Sequence, residues 1–292
     1  MAFFDRDETM ELNELTRKET GDSFLQLSDG FTHYELSNPE AQPTIVLVHG
    51  FSVPYFIFDP TFAFLTEAGF RVLRYDLFGR GFSDRPETRY NIDLFVRQLG
   101  ELLDHLHLTR PVSLVGLSTG GPITATFTLR FPHRVKQLVL IDPVGAKPLW
   151  LGRLLKMAAL PCLGEAIITR FGRASMVRRI ASRFSDSTFI ENLQERYMIQ
   201  LHYKGFKRAI LSTIRNNMLG SFADVYQAIG KMDKPVLLFW GRNDQLVPFA
   251  HSQILRVAMP RIQFHAIKNT GHTPHYEKPE EVNPILLRFL KR

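Results

Sequence analysis

The stretch that most constrains the fold is residues 111–130, which read PVSLVGLSTGGPITATFTLR. Val112–Leu117 is a short aliphatic and β-branched run, so it predicts one buried strand and is too short for a helix. Residues 123–129 predict a helix, and Pro132 ends it because a proline disfavours helical geometry in the preceding residue. The stretch therefore predicts a buried strand, a sharp turn and a helix.

The turn in this stretch has a glycine two positions before Ser118 and another two positions after it, in the sequence GLSTG. Glycine lets the backbone turn sharply without a Cβ clash, and the start of the following helix leaves N–H groups free. A serine on such a strand-to-helix turn has its hydroxyl lifted clear of the sheet. Ser118 is therefore the candidate nucleophile, with a simple helix cap as the structural alternative.

Strand and helix patterns alternate over most of the chain. The patterns predict strands over residues 23–27, 31–36, 44–48, 71–75, 112–117, 137–141, 236–240 and 262–267. They predict helices over residues 58–68, 91–105, 123–129, 249–257 and 279–290. The turn residues at 28–30 predict an antiparallel hairpin between the first two strands. The alternation after that hairpin is typical of a parallel sheet wrapped by helices.

The alternation stops between residues 145 and 232, where the pattern is helical throughout. We predict that residues 145–232 form a helical cap inserted into one α/β core, which consists of residues 1–144 and 233–292. Residues 1–20 fit either a polar helix or a frayed terminus.

The positive charge of the chain is concentrated in the predicted insertion. The 292 residues carry a formal net charge of +7. Residues 147–231 hold 14 lysines or arginines against five acidic residues, whereas the rest of the chain holds 22 basic and 24 acidic residues. This distribution describes the outer face of one segment, so we predict no nucleic-acid partner. The arginines at 170, 173, 178, 179 and 183 form either a solvated face or a basic surface that makes peripheral contact with anionic lipid.

Composition also bears on location. The single cysteine, Cys162, excludes an internal disulfide and suits a reducing compartment. The first 13 residues carry four acidic side chains and no apolar core of a signal peptide. No apolar run approaches the ~18 residues of a transmembrane span. We therefore predict a cytoplasmic protein.

A serine hydroxyl needs a base within hydrogen-bond reach and a third group that holds the base. In open parallel sheets, functional groups gather at the carboxyl ends of the strands. Asp244 follows the predicted strand 236–240, and His272 follows the strand 262–267. Two alternatives remain at this point: Asp142 at a neighbouring strand end for the acid, and His275 for the base. We expect His275 to lie at the surface or the pocket rim.

Five motifs together resemble the serine hydrolases of the α/β-hydrolase fold. These are HGF at 49–51, DLFGRGFSD at 76–84, GLSTGG at 116–121, GRNDQLVP at 241–248 and GHTPH at 271–275. The resemblance implies a mostly parallel, eight-stranded sheet flanked by helices, with an inserted helical cap. It also implies Ser118 as nucleophile, His272 as base and Asp244 as orienting acid, with no metal and no organic cofactor. The backbone N–H groups of Phe51 and Thr119 would form the oxyanion hole.

Other polar residues in these motifs are interpreted as structural. We expect His49 to bond the backbone of its own loop, and Asp76, Arg80 and Asp84 to form a salt-bridged loop under the site.

Within this family the motifs favour cleavage of carboxylic esters with uncharged acyl groups, as in carboxylesterases and monoacylglycerol lipases. A serine at position 118 argues against dehalogenases and epoxide hydrolases, which use an aspartate. Hydrolysis of carbon–carbon bonds is a less favoured alternative to ester cleavage. In the enzymes that carry it out, the segment that supplies the oxyanion donor is usually richer in glycine than FSVPY at 51–55. A perhydrolase activity on the same triad and a hydrolase-fold ligand receptor with little turnover are the remaining alternatives.

Overall fold

The computed structural model describes residues 8–20, 23–149, 157, 160, 162–169 and 190–292. Its strands are β1 (Ser23–Leu27), β2 (Gly30–Ser37), β3 (Thr44–Val48), β4 (Arg71–Tyr75), β5 (Val112–Leu117), β6 (Val135–Ile141), β7 (Val236–Gly241) and β8 (Gln263–Ile267). They form one eight-stranded sheet in the order β1-β2-β4-β3-β5-β6-β7-β8. β2 pairs antiparallel with β1 and β4, and all other neighbours pair in parallel. The predicted hairpin and mostly parallel sheet are therefore confirmed.

The sheet is flanked by helices. These are α1 (Glu14–Thr20), α2 (Asp59–Glu67), α3 (Ile92–His105), α4 (Gly120–Arg130), α5 (Ile190–Gln200), α6 (Phe206–Arg215), α7 (Ala223–Lys231), α8 (His251–Ala258), α9 (Pro274–Glu277) and α10 (Pro279–Leu290). A short 3₁₀ turn, Tyr55–Phe58, precedes α2. Within the described ranges, no helix combines the length and apolar character that crossing a bilayer requires.

The central strands are buried on both faces, as expected for a parallel sheet covered by helices. All five residues of β3 are buried, and their side chains alternate between the two faces. Val46 and Val48 belong to the core cluster that α3, α4 and α7 cover. Ile45 and Leu47 belong to the cluster on the opposite face, which α2 and α10 cover. This period of two fixes the sheet between two apolar layers.

The described part of the predicted insertion contains α5, α6 and α7 and is helical there, as the sequence pattern predicts. The arginines at 170, 173, 178, 179 and 183 lie outside the described residues. A cap domain with the boundaries 145–232 stays a prediction.

The start of the chain docks on this insertion. Glu8 is buried, and its two carboxylate oxygens accept hydrogen bonds from the backbone N–H groups of Gly205 and Lys207, at 2.8 and 2.7 Å. Gly205 is the N-cap of α6 and Lys207 lies in its first turn, where N–H groups have no acceptor within the helix. The segment before α1 is therefore anchored through a helix N-terminus.

Candidate active site

Ser118 lies on a tight turn between β5 and α4, as predicted. Its φ is 55°, in the left-handed region that residues other than glycine rarely adopt. The backbone holds this conformation from both sides: Ser118 N–H donates to the Ile141 carbonyl at 2.9 Å, and the Ser118 carbonyl accepts from Gly121 and Val144 at 3.0 and 3.1 Å. Strain of this kind persists only where surrounding contacts over-determine it.

The two glycines that flank Ser118 are required by close backbone approach. A Cβ at Gly116 would lie 2.4 Å from the Gly120 carbonyl oxygen, and a Cβ at Gly120 would lie 2.2 Å from the Val48 carbonyl oxygen. Neither distance leaves room for a side chain. The turn is therefore packed directly against the end of β3, and the serine pattern identified in the sequence follows from this packing.

His272 and Asp244 are in contact at the carboxyl ends of β8 and β7. The His272 Nδ1 and Asp244 Oδ2 atoms are 2.7 Å apart, and both side chains are at most 2% exposed. Asp244 Oδ1 accepts hydrogen bonds from the backbone N–H groups of Leu246 and Val247, at 2.8 and 2.9 Å. These donors stabilise an ionised carboxylate. An ionised Asp244 in turn holds the proton of His272 on Nδ1 and leaves Nε2 as the basic atom.

Hydrogen bonds also tie the two loops that carry this pair. Asn243 N–H donates to the Thr270 carbonyl at 3.0 Å. Gly271 N–H donates to Glu277 Oε1 in α9 at 2.8 Å. The Asn243–Thr270 bond thus joins the loop after β7 to the loop after β8, one residue before Asp244 and two residues before His272, and Glu277 holds the residue next to His272.

Ser118 and His272 share the same edge of the sheet and are both buried, at 5% and 2% exposure. In the part of the chain that the structure describes, no hydrogen bond joins the Ser118 hydroxyl to the imidazole. The structure therefore brings together the predicted base and acid, and it places the predicted nucleophile on its turn without a direct bond to them. Nucleophile–base hydrogen bonds are often long in sites without substrate.

The backbone after β3 lies beside the serine. A Cβ at Gly50 would be 3.0 Å from Ser118 Cβ and 3.5 Å from Ser118 Oγ. Across the described ranges, the N–H groups of Phe51 and Thr119 donate no hydrogen bond to the protein. Two N–H groups on backbone adjacent to one hydroxyl, both without a protein acceptor, are suited to an oxyanion.

Asp142, the alternative acid in the sequence, lies next to the pair but does not contact the imidazole by hydrogen bond. It is fully buried, has a φ of 42°, and accepts a hydrogen bond from Gly241 N–H on Oδ1 at 2.9 Å. Burial, and then the negative charge of Asp244, raise the pKa of the Asp142 carboxyl well above its usual range. The raised pKa favours the protonated form of Asp142 beside Asp244.

Among the described residues, one group could hold a metal ion by its donor atoms. One donor atom each from Asp142, Asp244 and His272 lie within 4.8 Å of one another. The His272–Asp244 hydrogen bond already occupies the imidazole nitrogen that faces the carboxylates. The arrangement is thus that of a carboxylate hydrogen-bonded to a histidine, which orients Nε2 of His272.

His49 has the structural role that the sequence predicts. Its Nε2 accepts a hydrogen bond from Leu77 N–H at 2.9 Å, so the proton lies on Nδ1, which donates to the Gly50 carbonyl at 2.9 Å. His49 therefore fixes the loop between β3 and the 3₁₀ turn.

The prediction that Asp76, Arg80 and Asp84 form salt bridges with one another is wrong. Among the described residues no salt bridge joins the three side chains: Asp76 contacts His33 at 2.7 Å, and Asp84 contacts Arg17 at 2.6 Å. Arg80 bonds two carbonyls and a hydroxyl instead of a carboxylate. His33, Arg17 and Thr213 belong to distant segments of the chain, and no local spacing indicates them.

His275 is also corrected. It is fully buried, and its Nε2 donates to the Ile57 carbonyl at 3.1 Å. Burial lowers the pKa of His275 to about 3, so the ring is neutral. α9 is a single turn, too short for its sequence periodicity to show which side faces inward. His275 is therefore a core residue of the β8–α9 region.

A family model described as the alpha/beta hydrolase family matches residues 45–285 of the chain. Among curated proteins, 2-hydroxy-6-oxononadienedioate/2-hydroxy-6-oxononatrienedioate hydrolase 1 of Pseudomonas putida is 26% identical over 300 residues, which cover 96% of this chain and 99% of that protein.

Two solved structures are similar over nearly the whole chain. A carboxylesterase from Bacillus subtilis has a TM-score of 0.74 and 25% identity, and the match covers 92% of this chain and 90% of that one. A meta-cleavage product hydrolase from Pseudomonas fluorescens IP01 has a TM-score of 0.76 and 22% identity, with coverage of 92% and 97%. At these identities the structures establish a shared fold.

Proposed function

Because this chain belongs to the alpha/beta hydrolase family, we propose that it is a serine hydrolase that uses Ser118, His272 and Asp244 to transfer an acyl group to water. The observation that carries the proposal is the buried His272–Asp244 hydrogen bond of 2.7 Å at the sheet edge where Ser118 occupies a strained turn. A strained serine and an oriented imidazole at one strand edge are what nucleophilic catalysis requires.

In the proposed mechanism, Ser118 Oγ attacks the substrate carbonyl while His272 Nε2 takes the hydroxyl proton. Asp244 stays ionised and stabilises the imidazolium that forms. The imidazolium then gives its proton to the leaving alcohol, and an acyl ester remains on Ser118. Water attacks this ester with His272 again as the base, which releases the carboxylic acid and restores the hydroxyl.

The N–H groups of Phe51 and Thr119 would receive the negative charge of the tetrahedral intermediate. Each is free of protein acceptors in the described residues, so neither must break a bond in order to donate. Preorganised donors of this kind are effective because they do not reorganise during the reaction, and loss of one typically costs about 2.7–4 kcal/mol.

We propose carboxylic esters with an uncharged acyl group as the substrate class. Residues 53–58, which follow the Phe51 donor closely in the chain, support this choice: all six are buried, and five of them are aliphatic or aromatic. Arg80, a buried cation bonded to the Phe51 carbonyl, also donates to Phe78 and Thr213 and is 1% exposed. Its guanidinium is therefore engaged with the protein on all three nitrogens.

Turnover of p-nitrophenyl esters by the wild type and by Ser118→Ala tests the mechanism. We expect the variant to lose at least about 10³-fold in kcat, because removing a nucleophile leaves only binding and the oxyanion donors. Folding of the variant is checked by its urea unfolding curve. Undiminished turnover in a folded Ser118→Ala protein would refute the assignment, and tight ligand binding with negligible wild-type turnover would indicate a receptor.

Hydrolysis of a carbon–carbon bond is the second candidate, and the relatives support it. The Pseudomonas putida protein, matched over 96% of this chain, is named as a hydrolase of a dienedioate. The same serine, histidine and oxyanion donors could cleave such a bond next to a ketone. A dienedioate is a dianion, so this reading requires cationic side chains that reach the substrate.

The two substrate classes are separated by direct comparison. kcat/KM is measured for p-nitrophenyl butyrate and octanoate by release of nitrophenolate, and for a 2-hydroxy-6-oxo-dienoate by loss of its absorbance. We expect the esters to have the larger kcat/KM by at least about tenfold, because a substrate carboxylate buried without a partner typically costs more binding energy than this. A larger value for the dienoate would assign the carbon–carbon reaction instead.

A further inference from the structure

Three consecutive carbonyl oxygens of the loop after β3 each accept a hydrogen bond from a buried side chain. The bonds are His49 Nδ1 to Gly50 at 2.9 Å, Arg80 Nε to Phe51 at 2.8 Å, and Gln200 Nε2 to Ser52 at 2.9 Å. The three donors are 0%, 1% and 2% exposed, respectively. We call residues 50–52 with these three bonds the oxyanion loop.

These bonds determine where the Phe51 N–H group points. The peptide group is planar, so the Gly50 carbonyl and the Phe51 N–H point in opposite directions from one rigid unit. His49 fixes that unit by holding the Gly50 carbonyl. Arg80 and Gln200 hold the next two carbonyls, which removes the rotations at Phe51 and Ser52 that could tilt it.

Two of the three anchors depend on the inserted segment. Gln200 is the last residue of α5, and its Oε1 also accepts a hydrogen bond from Gly81 N–H at 2.9 Å. Arg80 comes from the core, but its Nη2 donates to Thr213 Oγ1 in α6 at 2.8 Å. The oxyanion loop is therefore held in part by two helices from the segment that interrupts the α/β pattern.

The Arg80 anchor is unusual because the guanidinium has no carboxylate partner among the described residues. Burial lowers the pKa of Arg80 to about 10, which leaves it charged at neutral pH. A buried charge is tolerated only where its donors are matched by acceptors. Thr213 Oγ1 is thus one of three acceptors that match the buried Arg80 guanidinium.

We propose that α5 and α6 position the oxyanion loop for catalysis, with Gln200 and Thr213 as positioning residues that act through Ser52 and through Arg80. The inference rests on the proposed function, because it takes Phe51 N–H as an oxyanion donor. Under this proposal the inserted segment sets the rate of the chemical step through direct polar contacts.

The test uses Gln200→Met and Thr213→Val, which keep side-chain size and remove the polar contacts, with Thr213→Ser as the conservative variant that keeps the hydroxyl. We measure kcat and KM for p-nitrophenyl butyrate and the inhibition constant of an alkyl boronic acid, which forms a tetrahedral adduct on the serine. Complete loss of an oxyanion donor costs about 10²–10³ in kcat, so a displaced donor should cost about tenfold.

We expect kcat to fall about tenfold in Gln200→Met and Thr213→Val, with KM within about twofold, because the ground-state ester uses the oxyanion donors little. The inhibition constant of the boronic acid should rise by the same factor by which kcat/KM falls. Thr213→Ser should restore kcat to within about twofold of the wild type.

Gln98→Met is the matched control. Gln98 is a fully buried glutamine whose amide also bonds the backbone with both of its polar atoms. Its Nε2 donates to the Asp76 carbonyl at 3.0 Å, and its Oε1 accepts from the Phe78 N–H at 3.0 Å. It makes no bond to residues 50–52. We expect Gln98→Met to lower the free energy of unfolding in urea while kcat of the folded protein stays within about twofold.

The outcomes separate the two proposals. If the wild type shows ester turnover that depends on Ser118, but Gln200→Met and Thr213→Val keep kcat and boronic acid affinity, the positioning role is overturned and the proposed function stands. An equal fall of kcat in Gln98→Met would also overturn it. A wild type without turnover that depends on Ser118 would overturn both.

Discussion

Replacement of Asp142 by asparagine is expected to stabilise the protein, and to do so increasingly as pH rises above about 4. The native carboxyl is fully buried, and its pKa is raised by burial and by the charge of Asp244. The native state therefore keeps a proton that the unfolded chain releases near the ordinary value of 3.8. Because the native state then binds more protons than the unfolded state, the free energy of unfolding falls with rising pH. Asparagine is neutral in both states and removes this dependence.

The size of the stability difference follows from the single proton that the native Asp142 carboxyl retains. Each pH unit above the unfolded pKa changes the contribution of Asp142 to the free energy of unfolding by up to about 1.4 kcal/mol. The change stops at the pH where the native carboxyl ionises. The variant should fit the site, since an asparagine Oδ1 can accept the Gly241 N–H and asparagine tolerates the native φ of 42°.

The assay is urea unfolding of the wild type and Asp142→Asn at pH 5, 6, 7 and 8. We expect the difference in free energy of unfolding to grow in favour of the variant over this range. Asp224→Asn, on the exposed first turn of α7, controls for the same chemical change at the surface. A difference that stays constant from pH 5 to 8 would show that Asp142 does not hold a proton in the native state.

Two further predictions concern the histidines. Asp244→Asn should lower kcat by about 10³-fold or more, because the asparagine amide would hold the wrong tautomer of His272. Asp142→Asn should change kcat less than about tenfold. Similar losses of kcat for the two variants in steady-state ester assays would contradict the distinct roles of the two aspartates. His275→Gln should make the protein less sensitive to acid. The pKa of His275 falls from 6.5 unfolded to about 3 in the native protein, so the unfolded state takes up a proton first and stability falls with pH below 6.5, by up to about 1.4 kcal/mol per unit. Urea unfolding at pH 7 and 5 checks this, and an unchanged pH dependence would refute it.

The sequence predicts the sheet well because the signal is local. The runs 71–75 and 112–117 are continuous apolar stretches bounded by turn residues, and both strands are observed with these bounds. Asn91 before an amphipathic run predicts a capped helix, and its side chain accepts the Leu94 N–H at 3.0 Å. Short-range chemistry decides each of these elements.

The pairing of Asp244 with His272 is also predictable, because parallel topology brings the ends of neighbouring strands together. The choice of Asp244 over Asp142 is not fixed by this rule. Both aspartates follow strand ends, and β6 and β7 are neighbours in the sheet. The structure distinguishes them by backbone donors: Asp244 receives two N–H groups on the oxygen that does not face His272, and Asp142 receives one.

The partners of long polar side chains cannot be predicted in this way. Arg80 reaches Thr213, which is 133 positions away in the sequence, and Gln200 reaches Ser52 across 148 positions. Such bonds form only after the helices of the insertion dock on the core, and no periodicity or spacing in the sequence encodes them. A motif can therefore identify the reacting groups without identifying the residues that hold them in place.

This distinction bears on how the inserted segment evolves. A segment that only covered a pocket could change freely with the substrate, since its contacts would be with the ligand. Here α5 and α6 also supply the Ser52 and Arg80 contacts of the oxyanion loop. A replacement of residues 145–232 would thus have to reproduce an amide near Ser52 and a hydroxyl near Arg80 to keep the rate of the chemical step. Under the proposed positioning role, a change in this segment alters turnover through these two polar contacts.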